Sequence, residues 1–429
     1  MAITSGCVKP MKKKKDSKWW QGVDEEMKCL EQLQEKLEGH ALYQGQTVGA
    51  ELDRENGRPV FRLGTISGGS LSEEPGFLFR SEKLSLKVSG RTTANRNTVN
   101  VREGWSSRYT EGITEGIRSE NWRNSPGRFR SYYRSRSNQL LYQVFGNVGA
   151  LEITLDSREF LLAQEDQYVL VANSNRMTVE DFNELSYAIL VALGFVSGDF
   201  LQGEVFTFRI PAKAAKQADS FQYRTLRKGG SSVYQALVWN PFGYKEMIGR
   251  PYADRLYKNQ KLKPLDVASF SELARQVLED HHIKYALVLF NDANESSQSL
   301  LVRNNCFFIV LEVLRKTYFE QVKDQLPPDY TNRKHVDKFR TVFEAIAPIT
   351  NEEAELLVLR NTFMHGDIRD IEGEEMMRIM HRQLSLIYKL VLTHTGFRGH
   401  VIDHYFLRHG PAKKAFTKLV AGFAAPQNI

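Results

Sequence analysis

Cysteine is scarce in this chain: Cys7, Cys29 and Cys306 are the only three in 429 residues, far apart and odd in number. That argues against a disulfide framework or a zinc site and makes reduced thiols the expectation. Long apolar runs are missing too, so no membrane span is expected. Residues 12–15 are all lysine and Trp19 and Trp20 follow soon after, without the apolar stretch a secretion signal needs. A cytoplasmic protein is expected. Lys228-Gly229-Gly230-Ser231-Ser232 lacks the spacing of a phosphate-binding P-loop, no nucleophile elbow is present, and no repeat is visible. His281 and His282 would point about 100° apart on a helix, with no ligand cluster to complete a metal site. His400, His404 and His409, near Asp403, read as surface residues. No metal and no cofactor are expected.

What is present is ordinary globular material: 41% hydrophobic and 25% charged residues, enough for a sizeable core. The length suits two or three domains. The net charge of +7 fits an acidic partner such as RNA or DNA without choosing one.

The expected class is α+β, a mixed, strand-rich N-terminal domain followed by an all-helical bundle. Residues 1–18 read as a flexible basic arm. Residues 19–38 read as one helix, with Met27, Leu30, Leu33 and Leu37 at helical spacing. Residues 48–52, 60–63, 77–79, 84–88, 151–155, 168–172, 205–210 and 233–239 read as strands. Thr178 caps a helix carrying Phe182, Leu185, Ile189 and Leu193, with Gly194 as its stop. The boundary falls near 265, giving a domain over 19–265, a bundle over 266–410 and a tail over 411–429. In the bundle, Ser271 and Asn351 are the expected caps of two helices. Pro327-Pro328 ends a long helix through Leu300, Phe307, Leu311, Leu314 and Tyr318, and a last helix carries Met377, Met380, Leu384, Ile387 and Val391.

One segment carries chemistry: Leu359-Arg360-Asn361-Thr362-Phe363-Met364-His365-Gly366, at the C-terminal end of a bundle helix. Asn361 and His365 share a face, and Arg360 and His365 lie about 140° apart around an ideal helix. The set suits metal-free RNA cleavage, where the substrate's own 2′-hydroxyl attacks. Histidine supplies a proton donor or acceptor near neutrality, arginine a fixed positive fork for the phosphate. His365 at a helix C-terminus would act as the acid on the leaving 5′-oxygen or as a proton shuttle. Asn361 would hold the imidazole tautomer or bind phosphate. The products would be a 2′,3′-cyclic phosphate and a 5′-hydroxyl.

Arg360-Asn361 with His365 four residues on resembles the signature of the HEPN superfamily. With Gly396-Phe397-Arg398-Gly399 following, the last third is similar to the ApeA-like HEPN branch of bacterial anti-phage proteins. The resemblance implies a metal-independent endoribonuclease of abortive-infection or toxin type. Its site would be built where two motif helices meet in a homodimer. RNA, possibly transfer RNA, would be the substrate, and a phage-derived trigger or a further defence subunit a partner. Some toxin members have a tyrosine two residues after the histidine. Asp367 stands there instead, which argues against that sub-branch. Glu312 and Arg303, on the long helix before the motif, and Asp367 are candidate supports. The alternative is a non-catalytic HEPN-like module that dimerises while the N-terminal domain binds a partner.

A second basic segment holds Arg123, Arg128, Arg130, Arg134 and Arg136 among Trp122, Phe129, Tyr132 and Tyr133. Arginines that bind phosphate and rings that stack on bases would make it an RNA-binding surface. Pro126 and Gly127 suggest a loop, or else an edge strand guarded by charge.

Overall fold

The computed structural model describes residues 19–43, 45–55, 58–64, 76–82, 84–100, 105–146, 148–201, 203–211, 217–225, 242, 264–294, 298–366, 371–409 and 416–418. The expected basic arm, the expected strand at 233–239 and Asp367 lie outside the described residues.

A short helix, α1 (Val23–Gln32), precedes six antiparallel strands: β1 (Leu37–Tyr43), β2 (Gln46–Glu55), β3 (Arg58–Gly64), β4 (Gly76–Arg80), β5 (Ser85–Asn100) and β6 (Trp105–Ser119). They pair in the order β3-β2-β1-β4-β5-β6, and β3 also pairs with β6, which closes the six into a ring. Closure removes the unpaired edges an open sheet would expose. β6 is long enough to serve two neighbours on one side. Residues 109–113 pair with β3, and residues 116–118 with β12.

Through that second pairing the sheet runs on into β12 (Ser220–Thr225), β11 (Glu204–Ile210), β7 (Arg128–Arg134), β10 (Tyr168–Asn173), β9 (Arg158–Glu165) and β8 (Ala150–Leu155). Alternation divides these strands between two cores. Tyr132, Ala163, Leu170, Phe206 and Tyr223 face a core shared with Phe61, Phe79 and Leu86 of the ring and with Trp19, Val23 and Leu30. Phe129, Tyr133, Leu162, Val169 and Val171 face the other core, with α2 (Leu140–Phe145) and α3 (Val179–Ser197).

The second core runs without a break into the helices α4 (Val267–Glu279), α5 (His281–Asn294), α6 (Leu300–Val322), α7 (His335–Glu344), α8 (Asn351–Met364) and α9 (Gly373–His394). Phe195 of α3 packs on Phe290 and Tyr388, with ring centroids 4.9 and 5.0 Å away, and Phe145 meets Phe270 at 5.1 Å. Position 265 therefore marks a change of element type within one core. Beyond α9, β13 (His400–Ile402) pairs with β14 (Phe416–Lys418) around α10 (His404–His409), so part of the expected tail is a strand.

The structure corrects several local readings. The first helix ends at Gln32, and Leu37, read as part of its stripe, opens β1. Gly194 does not stop α3; Gly198 does, at φ 75°. Gly194 lies where α3 meets its neighbours: a Cβ there would sit 2.9 Å from Asn291 Nδ2 and 3.0 Å from Phe200. Asp266 caps α4 in place of Ser271, and Thr350 caps α8 in place of Asn351, in a reciprocal box with Glu353. No helix among the described residues is long and apolar enough to cross a membrane.

Candidate active site at the end of helix α8

Three contacts hold α8. Its first turn is capped by Thr350, and Glu353 takes the buried Lys389 ammonium of α9 at 2.6 and 2.8 Å. Leu356 and Phe363 are buried, and the Phe363 ring lies 5.4 Å from Phe308 of α6. Arg360 Nε lies 3.6 Å from Glu312 Oε2, also on α6. From Phe308 to Glu312 the partners run from Phe363 back to Arg360, so the two helices are antiparallel.

Glu312 anchors a small charged cluster. Its Oε1 accepts a bond from Arg315 at 2.9 Å, and its Oε2 lies 3.7 Å from His335 Nε2 as well as beside Arg360. Its side chain is 17% exposed and that of Arg360 21%, so this carboxylate serves three basic groups at the protein's surface layer. Burial pushes His335 below the ordinary histidine range; Glu312 opposes that shift, while Arg360, Arg315 and Lys338 add to it. Arg360 Nη1 also donates to Asn361 Oδ1 at 2.9 Å. The guanidinium is thus held between α6 and its own neighbour.

His365 caps α8 with near-helical dihedrals, its N–H donating to Asn361 O at 3.0 Å, and Gly366 turns the chain at φ 73°. Its side chain is exposed and makes no hydrogen bond or ion pair to a described residue. Helical geometry keeps Arg360 and His365 about 140° apart around the axis. Val358, Asn361 and His365 form one exposed ridge, with Arg360 on the flank facing α6.

The structure therefore brings Arg360, Asn361 and Glu312 together. Arg303 does not join them. It lies in the first turn of α6, about 13 Å along the axis from Glu312, and is 4% exposed, with burial lowering its pKa. The antiparallel pairing sets that turn roughly level with the end of α8. His335 and Arg315 were missed by sequence reasoning. Nothing in the spacing of α6 and α7 couples them, although Glu312 and Arg315 are three apart on one helix.

The second basic segment is corrected in form. Residues 121–127, with Arg123, Pro126 and Gly127, join β6 to β7 outside either strand, as the loop reading expects, but residues 128–134 are no edge: β7 pairs with β10 on one side and β11 on the other. Phe129, Tyr132 and Tyr133 are buried and unavailable as stacking platforms. Arg130 is 3% exposed and spends its charge inside, on Glu26 at 2.7 Å and on Gln21 O at 2.7 Å. Arg134 pairs with Glu204 at 3.1 Å, Arg128 is half-buried, and Arg123 and Arg136 are exposed. The five arginines do not form one surface.

No family model matches the chain, and no curated protein matches it. A solved structure titled "MrkH, A novel c-di-GMP dependence transcription regulatory factor" is 11% identical over 52% of this chain and 86% of that one. Its TM-score of 0.13 carries no argument about fold or function.

The expected surface role of the C-terminal histidines fails for His404, which is 3% exposed. His381, also buried, lies 3.0 Å from His409 through Nδ1 and Nε2; burial and the charges of His404, His409 and Arg408 push it down to about 3. Among the described residues no group of three or more histidine, cysteine or acidic side chains has the geometry to hold a metal.

Proposed function

We propose that the C-terminal bundle is a HEPN-type, metal-independent endoribonuclease of a bacterial anti-phage system. Arg360 would bind the scissile phosphate, Asn361 would orient the site, and His365 would move the proton to the leaving 5′-oxygen. The observation that carries this reading is the presence, on one helix end, of an arginine fixed by a carboxylate and of an exposed histidine whose side chain bonds no residue among the described ones. A guanidinium held in place loses little freedom when it meets a phosphate, and its remaining N–H groups form a fork suited to two oxygens. A free imidazole is available for proton transfer.

Since the two groups point apart around one helix, the reading requires a homodimer. A second α8 would bring its His365 across to the first chain's Arg360. Val358 and Met364, 56% and 41% exposed, supply apolar surface beside the motif for such a contact. The N-terminal sheet would sense infection or restrain the nuclease until a phage-derived trigger or a partner subunit arrives. RNA is the substrate in this reading, with transfer RNA one candidate. The protein would act in the cytoplasm.

A second reading draws on the same contact. In it, Arg360 meets Glu312 purely as a tie between α6 and α8, and the bundle is a dimerising adaptor. Purified protein incubated with RNA in EDTA separates the two. The nuclease reading expects 2′,3′-cyclic phosphate ends that vanish in Arg360→Ala and His365→Ala. The adaptor reading expects intact RNA from all three proteins.

A further inference from the structure

The face of the sheet that α3 covers over β7, β9 and β10 continues onto the outside of the ring, where a groove of about 520 Å3 opens across β1, β4, β5, β6 and β12. One transverse row of directly opposed residues forms its floor: Leu42 faces Leu78, Leu78 faces Lys87, Lys87 faces Arg118, and Arg118 faces Gln222. Opposed residues on antiparallel strands have side chains on the same side and about 5 Å apart at Cβ.

Lys87 and Arg118 are therefore like charges held side by side, an arrangement that destabilises a sheet when nothing neutralises it. Both are exposed, and neither has a carboxylate within ion-pair distance among the described residues. Glu120, whose carboxylate feels the Lys87 charge, is already committed to the Ser85 hydroxyl at 2.6 Å and to Arg80 at 3.6 Å. Gln222 and Ser89 add uncharged polar groups to the lining, and Leu42, 44% exposed, leaves an apolar wall at the opposite end.

We propose that this groove binds a phosphorylated small molecule of nucleotide type, its phosphates on Lys87 and Arg118 and its flat apolar body against Leu42 and Leu78. The volume falls in the range of small-ligand sites. Two adjacent cations match the charge spacing of a diphosphate or triphosphate, and the apolar end suits a base. The polar and apolar ends of one row thus match the two ends of one molecule. The site lies on the ring and involves none of Arg360, Asn361 or His365, so it does not depend on the nuclease reading.

The test is calorimetric titration of the His365→Ala chain with ATP, GTP, inorganic pyrophosphate and a short single-stranded RNA. The same titrations are run on that chain carrying Lys87→Ala and Arg118→Ala, with unchanged circular dichroism confirming its fold. ATP or GTP is expected to bind more tightly than pyrophosphate, because pyrophosphate lacks the apolar body. The double substitution is expected to weaken binding by about tenfold or more, as charge-assisted bonds to phosphate are lost. Leu42→Ala should weaken ATP and GTP by removing part of the apolar wall while leaving pyrophosphate, which uses only the two cations, unchanged. Three results would overturn the proposal: no binding of any probe, equal binding by the double variant, or substitution-sensitive binding only of a short single-stranded RNA.

Discussion

Glu312 Oε2 stands 3.6 Å from Arg360 Nε, joining the long helix of the bundle to the helix that ends in His365. The same carboxylate holds Arg315 and faces His335. In the proposed nuclease this makes Glu312 a positioning residue. Glu312→Gln keeps the shape and removes the charge. Cleavage should fall by one to two orders of magnitude, in line with typical losses when a supporting partner is removed, while substrate binding changes less. Steady-state kinetics on wild type and variant, separated into kcat and KM, would check it. An unchanged kcat would mean that Glu312 only ties the helices.

The same substitution has a spectroscopic consequence. Burial depresses the pKa of His335, and Glu312 is the group that opposes the shift. Removing that charge should move the His335 titration to still lower pH. Proton NMR of the imidazole in both proteins would measure the displacement, and a shift to higher pH would show that Glu312 does not face His335 in solution.

Two histidines, the buried His381 and the half-buried His394, set an acid limit on the fold. His381 is pushed down to about 3 and His394 to about 4, both chiefly by burial. The unfolded chain would therefore take up protons on these groups that the folded chain refuses. Their contribution is present above the ordinary histidine range and is lost as pH falls from about 6.5 toward 4. His394 lies 3.0 Å from Gln276 Oε1 and 2.6 Å from Gln321 Oε1, and Gln276 itself donates to Glu272. Thermal melts between pH 7 and 4.5 should show a falling Tm, and His394→Gln should flatten that slope.

Much of this architecture was legible in the residues. Strands of the ring with apolar alternation, such as Phe77 and Phe79, and bundle helices with regular stripes were placed near their observed positions. The strand expected at 84–88 is the start of β5, but the rest of β5 and all of β6 carry no such signal, because residues 91–112 are mostly polar and glycine-containing with little hydrophobic period. Pro126 and Gly127 suggest a loop and the arginines a charge-guarded edge, yet β7 is an interior strand. Arg130 is instead neutralised by Glu26 from α1, a partner 104 residues away that no local pattern announces. The motif helix and its stop at Gly366 were readable. The Glu312 cluster joins three separate helices, and only tertiary packing brings His335 to it.

That interior pair gives a stability prediction. Glu26 is 3% exposed and bonded to Arg130 at 2.7 Å and to the Tyr132 hydroxyl at 2.6 Å; burial raises its pKa, with Arg130 opposing. Glu26→Ala leaves a buried guanidinium without its carboxylate and should cost about 3–5 kcal/mol, whereas replacing both members by Met should cost less. Urea denaturation of the two variants would compare them. Equal losses would mean that the pair itself, rather than the stranded charge, dominates.

Gly194 sets a packing limit between the sheet's helix and the bundle. With Asn291 Nδ2 at 2.9 Å and Phe200 at 3.0 Å from the place of a Cβ, Gly194→Ala should destabilise by about 1–3 kcal/mol through overpacking, against the helix propensity gain. Gly203→Ala, with nothing within 4 Å, serves as the control. Chemical denaturation of both would settle the sign.

The central claim concerns RNA. Sequencing of cellular RNA ends after induced expression of wild type and His365→Ala tests it most directly. New 5′-hydroxyl and 2′,3′-cyclic phosphate ends at defined sites, present with wild type and absent with His365→Ala at equal protein level, are the expected result. The same ends from both proteins, or from neither under phage challenge, would contradict it.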